Sequence, residues 1–398
     1  MHFAHTEEQD LVRQTIREFA EEQLLPGALE RDKNKQFAME QWRAYSELGF
    51  TGMTVPEEYG GTPLDAVSEA IVIEELSRCD ASFGVLVAVH SGLFGSTLMN
   101  WGTQAQKSEW GPKLASGEAI GAYSLSEAGS GSDATAMSCA ASLEGDEWVL
   151  SGTKMWVTNG KVAGLYIVFA RSHPDAPKKS EQVTAFLIPA GTPGLTVSKT
   201  EDKLGIRASD TAEIVLNNVR VPRSAVLGQE GQGMRVAFNA LDISRIGIAS
   251  QALGIAQGAF DFALKYAQER ETFGKKLIEH QSIANYLADM ATRIQAARHL
   301  VYHAAWLKEQ GVVHTKESSM AKLFAGDTAV WVADRAVQIL GGYGYTTDFP
   351  VERYFRDSKI TQIYEGTQEM QRIVIARALQ GQVKGVVAKK QPETVAAG

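Results

Sequence analysis

Apolar residues fall along this chain in three successive patterns. From residue 6 to about 120 the spacing is mostly helical. Thr6 reads as an N-cap with Gln9 at the capping-box position. Residues 66–77 and 83–101 read as further helices, and the Gly- and Pro-rich run 49–63 reads as a loop. From 121 to about 233 the period shortens. Trp148 and Leu150 alternate with polar neighbours, and 165–170, 184–188 and 212–216 are short apolar runs. Gly145, Gly152, Asn159-Gly160, Pro193-Gly194 and Pro222 punctuate them, which predicts an antiparallel β domain. Strands and helices do not alternate here, so a doubly wound parallel sheet is not expected. From 234 to about 379 helical spacing returns. Ile246, Ala249, Leu253, Ala256, Phe260 and Ala263 mark one face of a long helix, and 282–310 and 318–340 repeat the behaviour. The pattern predicts an α+β multidomain chain. An N-terminal helical domain (1–120) is followed by a middle antiparallel β domain (121–233), a C-terminal helical bundle (234–380) and a loose tail (381–398).

Composition narrows the classes. A chain of 398 residues with 44% hydrophobic and 22% charged residues is that of an ordinary globular protein, long enough to bury a core without disulfide or metal staples. A formal charge of -8 weighs against a nucleic-acid or anionic-membrane surface. Cys79 and Cys139 form no CxxC pair, which fits a reducing compartment. The first eight residues lack the features of a signal or transit peptide, and no run is expected to approach the ~20 apolar residues of a membrane span. The expected location is the cytoplasm of a bacterial cell, or the mitochondrial matrix if the source is eukaryotic.

Five segments carry candidate chemistry. Tyr123-Ser-Leu-Ser-Glu-Ala-Gly-Ser-Gly-Ser-Asp133 offers hydroxyls, and glycines that let backbone approach a bulky ligand. Its flanks are not the strand and helix of a dinucleotide fingerprint, and as an isolated segment it reads equally well as a polar connecting loop. Met155-Trp-Val-Thr-Asn-Gly160 sets an indole beside a hydroxyl, which suits a flat conjugated ring; standing alone it is a core Trp before a turn. Asp242-Ile-Ser-Arg245 puts two charges on one face of an apolar helix, as an ion pair or a ligand contact. Arg270-Glu-Thr-Phe-Gly274 with His280-Gln281 offers a guanidinium for phosphate. Gln338-Ile-Leu-Gly-Gly-Tyr-Gly344 is a helix end whose backbone N–H groups suit a pyrophosphate or simply cap the helix. In Tyr364-Glu-Gly-Thr367, Glu365 follows apolar and aromatic residues; desolvation there raises a carboxyl towards the range of a base working near neutral pH. The bland alternative is a surface Glu before a turn. His299 and His303 share a helix face without a third ligand, so no metal site is expected. No GxSxG elbow or Walker A loop is present.

In this order, from the first helices to about Arg377, the five segments resemble the acyl-CoA dehydrogenase family. The short-chain, butyryl-CoA type is the nearest in Leu125-Ser-Glu, in 241–257 and in Thr361-Gln-Ile-Tyr-Glu-Gly-Thr367. The resemblance implies a C-terminal four-helix bundle, non-covalent FAD, a homotetramer, an acyl-CoA substrate, a trans-2-enoyl-CoA product and an electron-transfer flavoprotein as acceptor. It implies that Tyr123, Leu125, Ser126, Gly131, Ser132, Trp156, Val157 and Thr158 line the flavin. Arg270, Glu271, Thr272, Phe273, His280, Gln281, Gln338, Gly341 and Gly342 would bind the FAD tail, chiefly across a subunit interface, and Thr367, Gln368 and Glu369 would close over FAD. Ser132, Asp242, Arg245 and Gly366 would contact substrate, and Glu365 would be the base. Some members carry the base at the position of Ser244, which cannot serve here. The thioester carbonyl would be polarised by a flavin ribityl hydroxyl and the Glu365 N–H. The helix 83–101, with Leu86, Val87 and Val89, would close the acyl pocket and favour short chains. Acyl-CoA oxidases share these motifs; a silent FAD- or CoA-binding scaffold is opposed by the intact Glu365, Arg245 and Arg270.

Overall fold

The computed structural model describes residues 4–382; the tail expected from 381 lies, from 383 on, outside the described residues. The chain opens with α1 (Glu7–Phe19), α2 (Ala28–Asn34), α3 (Met39–Glu47), α4 (Ala66–Cys79), α5 (Ala81–Val87), α6 (Ser96–Trp101) and α7 (Gln104–Ala115). The Thr6 capping box forms as expected. The Thr6 hydroxyl accepts from the Gln9 N–H, and the Gln9 side chain accepts from the Thr6 N–H, each at 3.2 Å. Asp65 and Asp80 cap α4 and α5 through their carboxylates, which accept from the N–H groups of Val67 and Ser68 and of Ser82 and Phe83.

The segment 83–101 is helical, but not uniformly α. α5 and α6 flank a wider π-wound stretch, Ala88–Gly95, of the kind found near functional sites. The Ser91 carbonyl there accepts from the Thr54 hydroxyl at 3.0 Å. One expectation from composition needs correcting. Ala81–Trp101 is 21 residues long and apolar enough to cross a membrane by length and composition, yet 83% of its most apolar window is buried inside the protein. It is a core helix. His90, in its middle, accepts from the Gly121 N–H and contacts the Thr51 carbonyl, each at 3.2 Å. Burial lowers its pKa to about 4, so the imidazole stays neutral.

The middle region contains β1 (Gly121–Ser124), β2 (Ala140–Glu144), β3 (Glu147–Thr158), β4 (Leu165–Arg171), β5 (Val183–Pro189), β6 (Leu195–Thr200), β7 (Thr211–Pro222) and β8 (Val226–Leu227). The strand order is β6-β7-β3-β2-β4-β5-β8, with β1 added against β4. Most pairings are antiparallel, as expected. The exceptions are β1, which runs parallel to β4, and one parallel contact between Ala140 and Arg171. The whole β2–β3 hairpin lies between β1 and β4, and a parallel neighbour needs such a long connection. β3 bulges between Lys154 and Val157, so that Met155 and Trp156 oppose one residue of β7.

The chain closes with α8 (Gly233–Glu269), a small hairpin of β9 (Glu271–Thr272) and β10 (Lys275–Lys276), α9 (Gln281–Glu309), α10 (Thr315–Leu340), α11 (Val351–Ser358) and α12 (Gln368–Leu379). The four longest of these helices, α8, α9, α10 and α12, make the bundle. α8 is its axis, packed on α10, α9 and α4. Close approach to α4 depends on two glycines. A Cβ at Gly254 or Gly258 would lie 2.3 Å from the Glu74 carbonyl oxygen or 2.2 Å from that of Arg78. Gly254→Ala is therefore expected to cost about 1–3 kcal/mol by overpacking. A thermal midpoint below that of the wild type checks it, and an unchanged midpoint would show that the two helices yield.

Candidate active site

A cleft of about 1860 Å³ lies between the sheet and the bundle, lined by residues of the helix 81–101, the β1–β2 connection, β3, α8 and the turn before α12. Glu127 folds the β1–β2 connection. Its carboxylate accepts from the Ser138 hydroxyl (2.7 Å), the Ser138 and Cys139 N–H groups and the buried Lys154 ammonium (2.8 Å). Burial alone would raise this carboxyl; Lys154 and Ser138 outweigh it and hold it below the ordinary range. Lys154 also donates to the Leu125 carbonyl at 3.1 Å, and the Ser126 carbonyl accepts from the Met155 N–H at 2.9 Å. The loop carrying Ser126 is thus fixed to the bulge carrying Trp156. Trp156 has φ +57° and stays 52% exposed on the cleft wall. The bulge turns it out of the sheet while its neighbour Val157 packs into the sheet core.

Glu365 stands on the opposite wall in a left-handed turn, φ +53°, followed by Gly366 at φ +91°. A non-glycine residue held there stores about 1–3 kcal/mol, and such strain collects at functional sites. Ser244 of α8 donates to the Glu365 carboxylate at 2.7 Å. Burial raises the Glu365 pKa above its ordinary value of 4.5, offset in part by the Ser244 bond and the Arg245 and Lys322 charges. A half-buried carboxyl with a raised pKa in a cleft is what a general base requires. Asp242 pairs with Arg245 and accepts from the Thr315 hydroxyl at 2.6 Å. The Tyr123 hydroxyl is buried with no partner, and the Nε of Arg245 is likewise unpaired. Tyr123 and Arg245 both line the cleft, as does Gly131, where a Cβ would meet nothing within 4 Å. Orphaned polar groups and an open backbone on the wall fit a large polar ligand.

Models of the acyl-CoA dehydrogenase N-terminal, middle and C-terminal domains match residues 6–118, 122–219 and 231–380. The chain belongs to the acyl-CoA dehydrogenase family. The short-chain specific acyl-CoA dehydrogenase of Rattus norvegicus mitochondria is 48% identical over 370 residues, 93% of this chain and 89% of the relative. Butyryl-CoA dehydrogenase from Megasphaera elsdenii superposes with a TM-score of 0.93 at 41% identity, over 96% of this chain and 100% of that one. A glutaryl-CoA dehydrogenase from Mycobacterium smegmatis in complex with FADH2 gives 0.89 at 32% identity, over 96% of each chain.

The site residues expected from the family fall into two groups. Tyr123, Leu125, Ser126, Gly131, Ser132, Trp156, Thr158, Asp242, Arg245, Glu365, Gly366 and Thr367 all line the cleft. Val157 does not, for the reason given above. Gln368 is buried beneath the turn, donating to the Leu323 carbonyl and to Asp327. Glu369 is exposed in the first turn of α12, where its own N–H and the Thr367 hydroxyl hold its carboxyl below the ordinary range. Arg270, Glu271, Thr272, Phe273, His280, Gln281, Gln338, Gly341 and Gly342 do not line the cleft. The Arg270 guanidinium lies 6.0 Å from the Tyr343 ring centroid, so the β9–β10 hairpin adjoins the turn after α10. His280 closes the hairpin on the Thr272 carbonyl at 3.2 Å, and Phe273 at its tip is 97% exposed.

Three further points were missed in the sequence. Of Leu86, Val87 and Val89 only Val89 reaches the cleft, together with Leu93; Leu86 and Val87 pack into the N-terminal core. Ser244, which cannot be a base, is a hydrogen-bond donor to one. Lys322 and Gln371 hold the Glu365–Gly366 turn from beneath. Lys322 was visible as a lone charge in step with Ala325 and Ala329 on the apolar face of α10; Gln371 carried no such signal.

Proposed function

We propose that this protein dehydrogenates short-chain acyl-CoA thioesters at the α,β-bond, giving trans-2-enoyl-CoA. The observation that carries the reading is Glu365, a half-buried carboxylate in a strained turn, across one cleft from Trp156 and Ser126. Membership of the acyl-CoA dehydrogenase family and the short-chain and butyryl-CoA activities of its relatives support the substrate class. The unpartnered Tyr123 hydroxyl and the open backbone at Gly131 suit a bound FAD, as does the FADH2 complex of the M. smegmatis relative. FAD supplies the acceptor for the hydride that leaves the β-carbon.

Every other task falls to the chain. Tyr123, Leu125, Ser126, Trp156 and Thr158 bind the flavin ring, and Asp242, Arg245 and Ser132 bind the CoA portion. Glu365 takes the α-proton, and the electron pair of that C–H bond becomes the new double bond as the β-hydride departs. The Glu365 N–H hydrogen-bonds the thioester oxygen; one such preorganised donor is typically worth about 3–4 kcal/mol. Holding the acyl chain against Glu365 fixes both transfers in line. Val89 and Leu93 close the apolar end. A methylene too many costs only about 1–3 kcal/mol, so the preference for short chains is graded. The Arg270–Gln281 and Gln338–Gly342 cluster serves the FAD of a neighbouring subunit in a homotetramer, and the reduced enzyme passes electrons to an electron-transfer flavoprotein.

The test is anaerobic titration with acyl-CoA thioesters of increasing length. Butyryl-CoA is expected to bleach the flavin more readily than long-chain thioesters, with electrons then accepted by an electron-transfer flavoprotein. A long-chain preference would overturn the chain-length assignment, and rapid hydrogen peroxide formation in air would point to an oxidase.

A further inference from the structure

α10 carries a lysine with no exposed surface. Lys322 lies among buried Ser318, Ser319, Ala321, Ala325 and Ala329. A buried ammonium costs several kcal/mol unless well paired, so packing alone does not account for it. Its Nζ donates to the Gly366 carbonyl at 2.7 Å and to Gln368 Oε1 at 3.3 Å. From α12, the fully buried Gln371 donates to the Glu365 carbonyl at 3.1 Å and to the Gly366 carbonyl at 2.9 Å. Two side chains therefore hold the carbonyls of the strained pair on which the base stands.

The charges are arranged to the same end. Glu365 faces Ser244 and Arg245 of α8, Lys322 of α10, and the hydroxyls of Tyr123 and Tyr364. Lys322 in turn faces Glu365, Arg245, Asp327 and Glu369. We propose that Lys322 is a positioning residue for Glu365: its ammonium fixes the Glu365–Gly366 turn through the Gly366 carbonyl and favours the ionised form of the carboxylate. This rests on Glu365 being the base. Burial pushes the Lys322 ammonium down to about 7, and the Glu365 carboxyl is pushed up. Desolvation thus draws the two groups towards one another, against their mutual attraction, which lowers the Glu365 carboxyl and raises the Lys322 ammonium.

Two variants separate the hydrogen bond from the charge. Lys322→Met removes both; Lys322→Gln keeps a donor for the Gly366 carbonyl and removes only the charge. Isotope-edited infrared titration, referenced to Glu365→Gln, reads the protonation of Glu365 without turnover. In both variants the Glu365 transition is expected to move up by about one pH unit, the smaller end of the effect of a nearby opposite charge. The acid limb of flavin reduction by butyryl-CoA should move with it, so that at a given pH on that limb the rate is about tenfold lower. Amide exchange over residues 361–371 should quicken in Lys322→Met and not in Lys322→Gln. A Glu365 transition that stays at the wild-type pH in Lys322→Gln overturns the proposal, even if Lys322→Met fails to fold. A wild type that butyryl-CoA does not bleach would instead sink the functional reading, while the infrared titration would still judge Lys322.

Discussion

Glu365→Gln is expected to retain flavin and bind acyl-CoA while reducing that flavin about 10⁴-fold more slowly than the wild type, the upper range for loss of a positioned general base. The amide fills the same space, and its oxygen can still accept from Ser244, which now bonds the carboxylate at 2.7 Å. What it cannot do is take a proton. The pH dependence has a fixed sign. Only the ionised carboxylate accepts the α-proton, and burial holds its pKa above 4.5. Wild-type reduction should therefore fall as pH drops through that raised value, while the residual rate of Glu365→Gln should lack this limb. Ser244→Glu in the Glu365→Gln background should recover part of the rate, because the Ser244 hydroxyl already touches the space of the lost carboxylate. Rapid-mixing absorbance under nitrogen measures all three. No recovery in the double variant would mean that a carboxylate on α8 does not reach the α-carbon.

Arg270→Ala is expected to weaken FAD retention about 10- to 150-fold and to loosen the proposed homotetramer with it. The range corresponds to about 1.5–3 kcal/mol for a hydrogen bond to a charged group. Arg270 is exposed beside Tyr343 and takes no part in the cleft. It serves a flavin only if a neighbouring subunit brings one to it. Equilibrium dialysis of FAD with sedimentation of the same samples checks both effects. Unchanged FAD affinity would leave the hairpin without a role in the cofactor site.

The large divisions of the fold were legible because each rests on a local period. The Thr6 cap, the helices α8 to α10 and the short strands between turns are all properties of neighbouring residues. The parallel pairing of β1 with β4 was not, since it joins Gly121 to Leu165 across a whole hairpin. The π-wound turn in 81–101 was hidden for a similar reason: its Ser91 carbonyl accepts from distant Thr54 as well as from the Ser96 N–H of its own helix. The site shows the same division. Glu365, Trp156 and Arg245 stand in recognisable segments, and the cleft gathers them. Val157 sits in a recognisable segment too, but a bulge decides which of two adjacent side chains faces the cleft. Ser244, Lys322 and Gln371 act on Glu365 only because α8, α10 and α12 converge on one turn.

The most direct measurement is anaerobic single-turnover flavin reduction by butyryl-CoA, with hydrogen or deuterium at the α-carbon, in wild type and Glu365→Gln side by side. The account predicts that the wild type bleaches, more slowly with the deuterated substrate, and that Glu365→Gln stays oxidised on that timescale. Bleaching of Glu365→Gln at a near wild-type rate would contradict it.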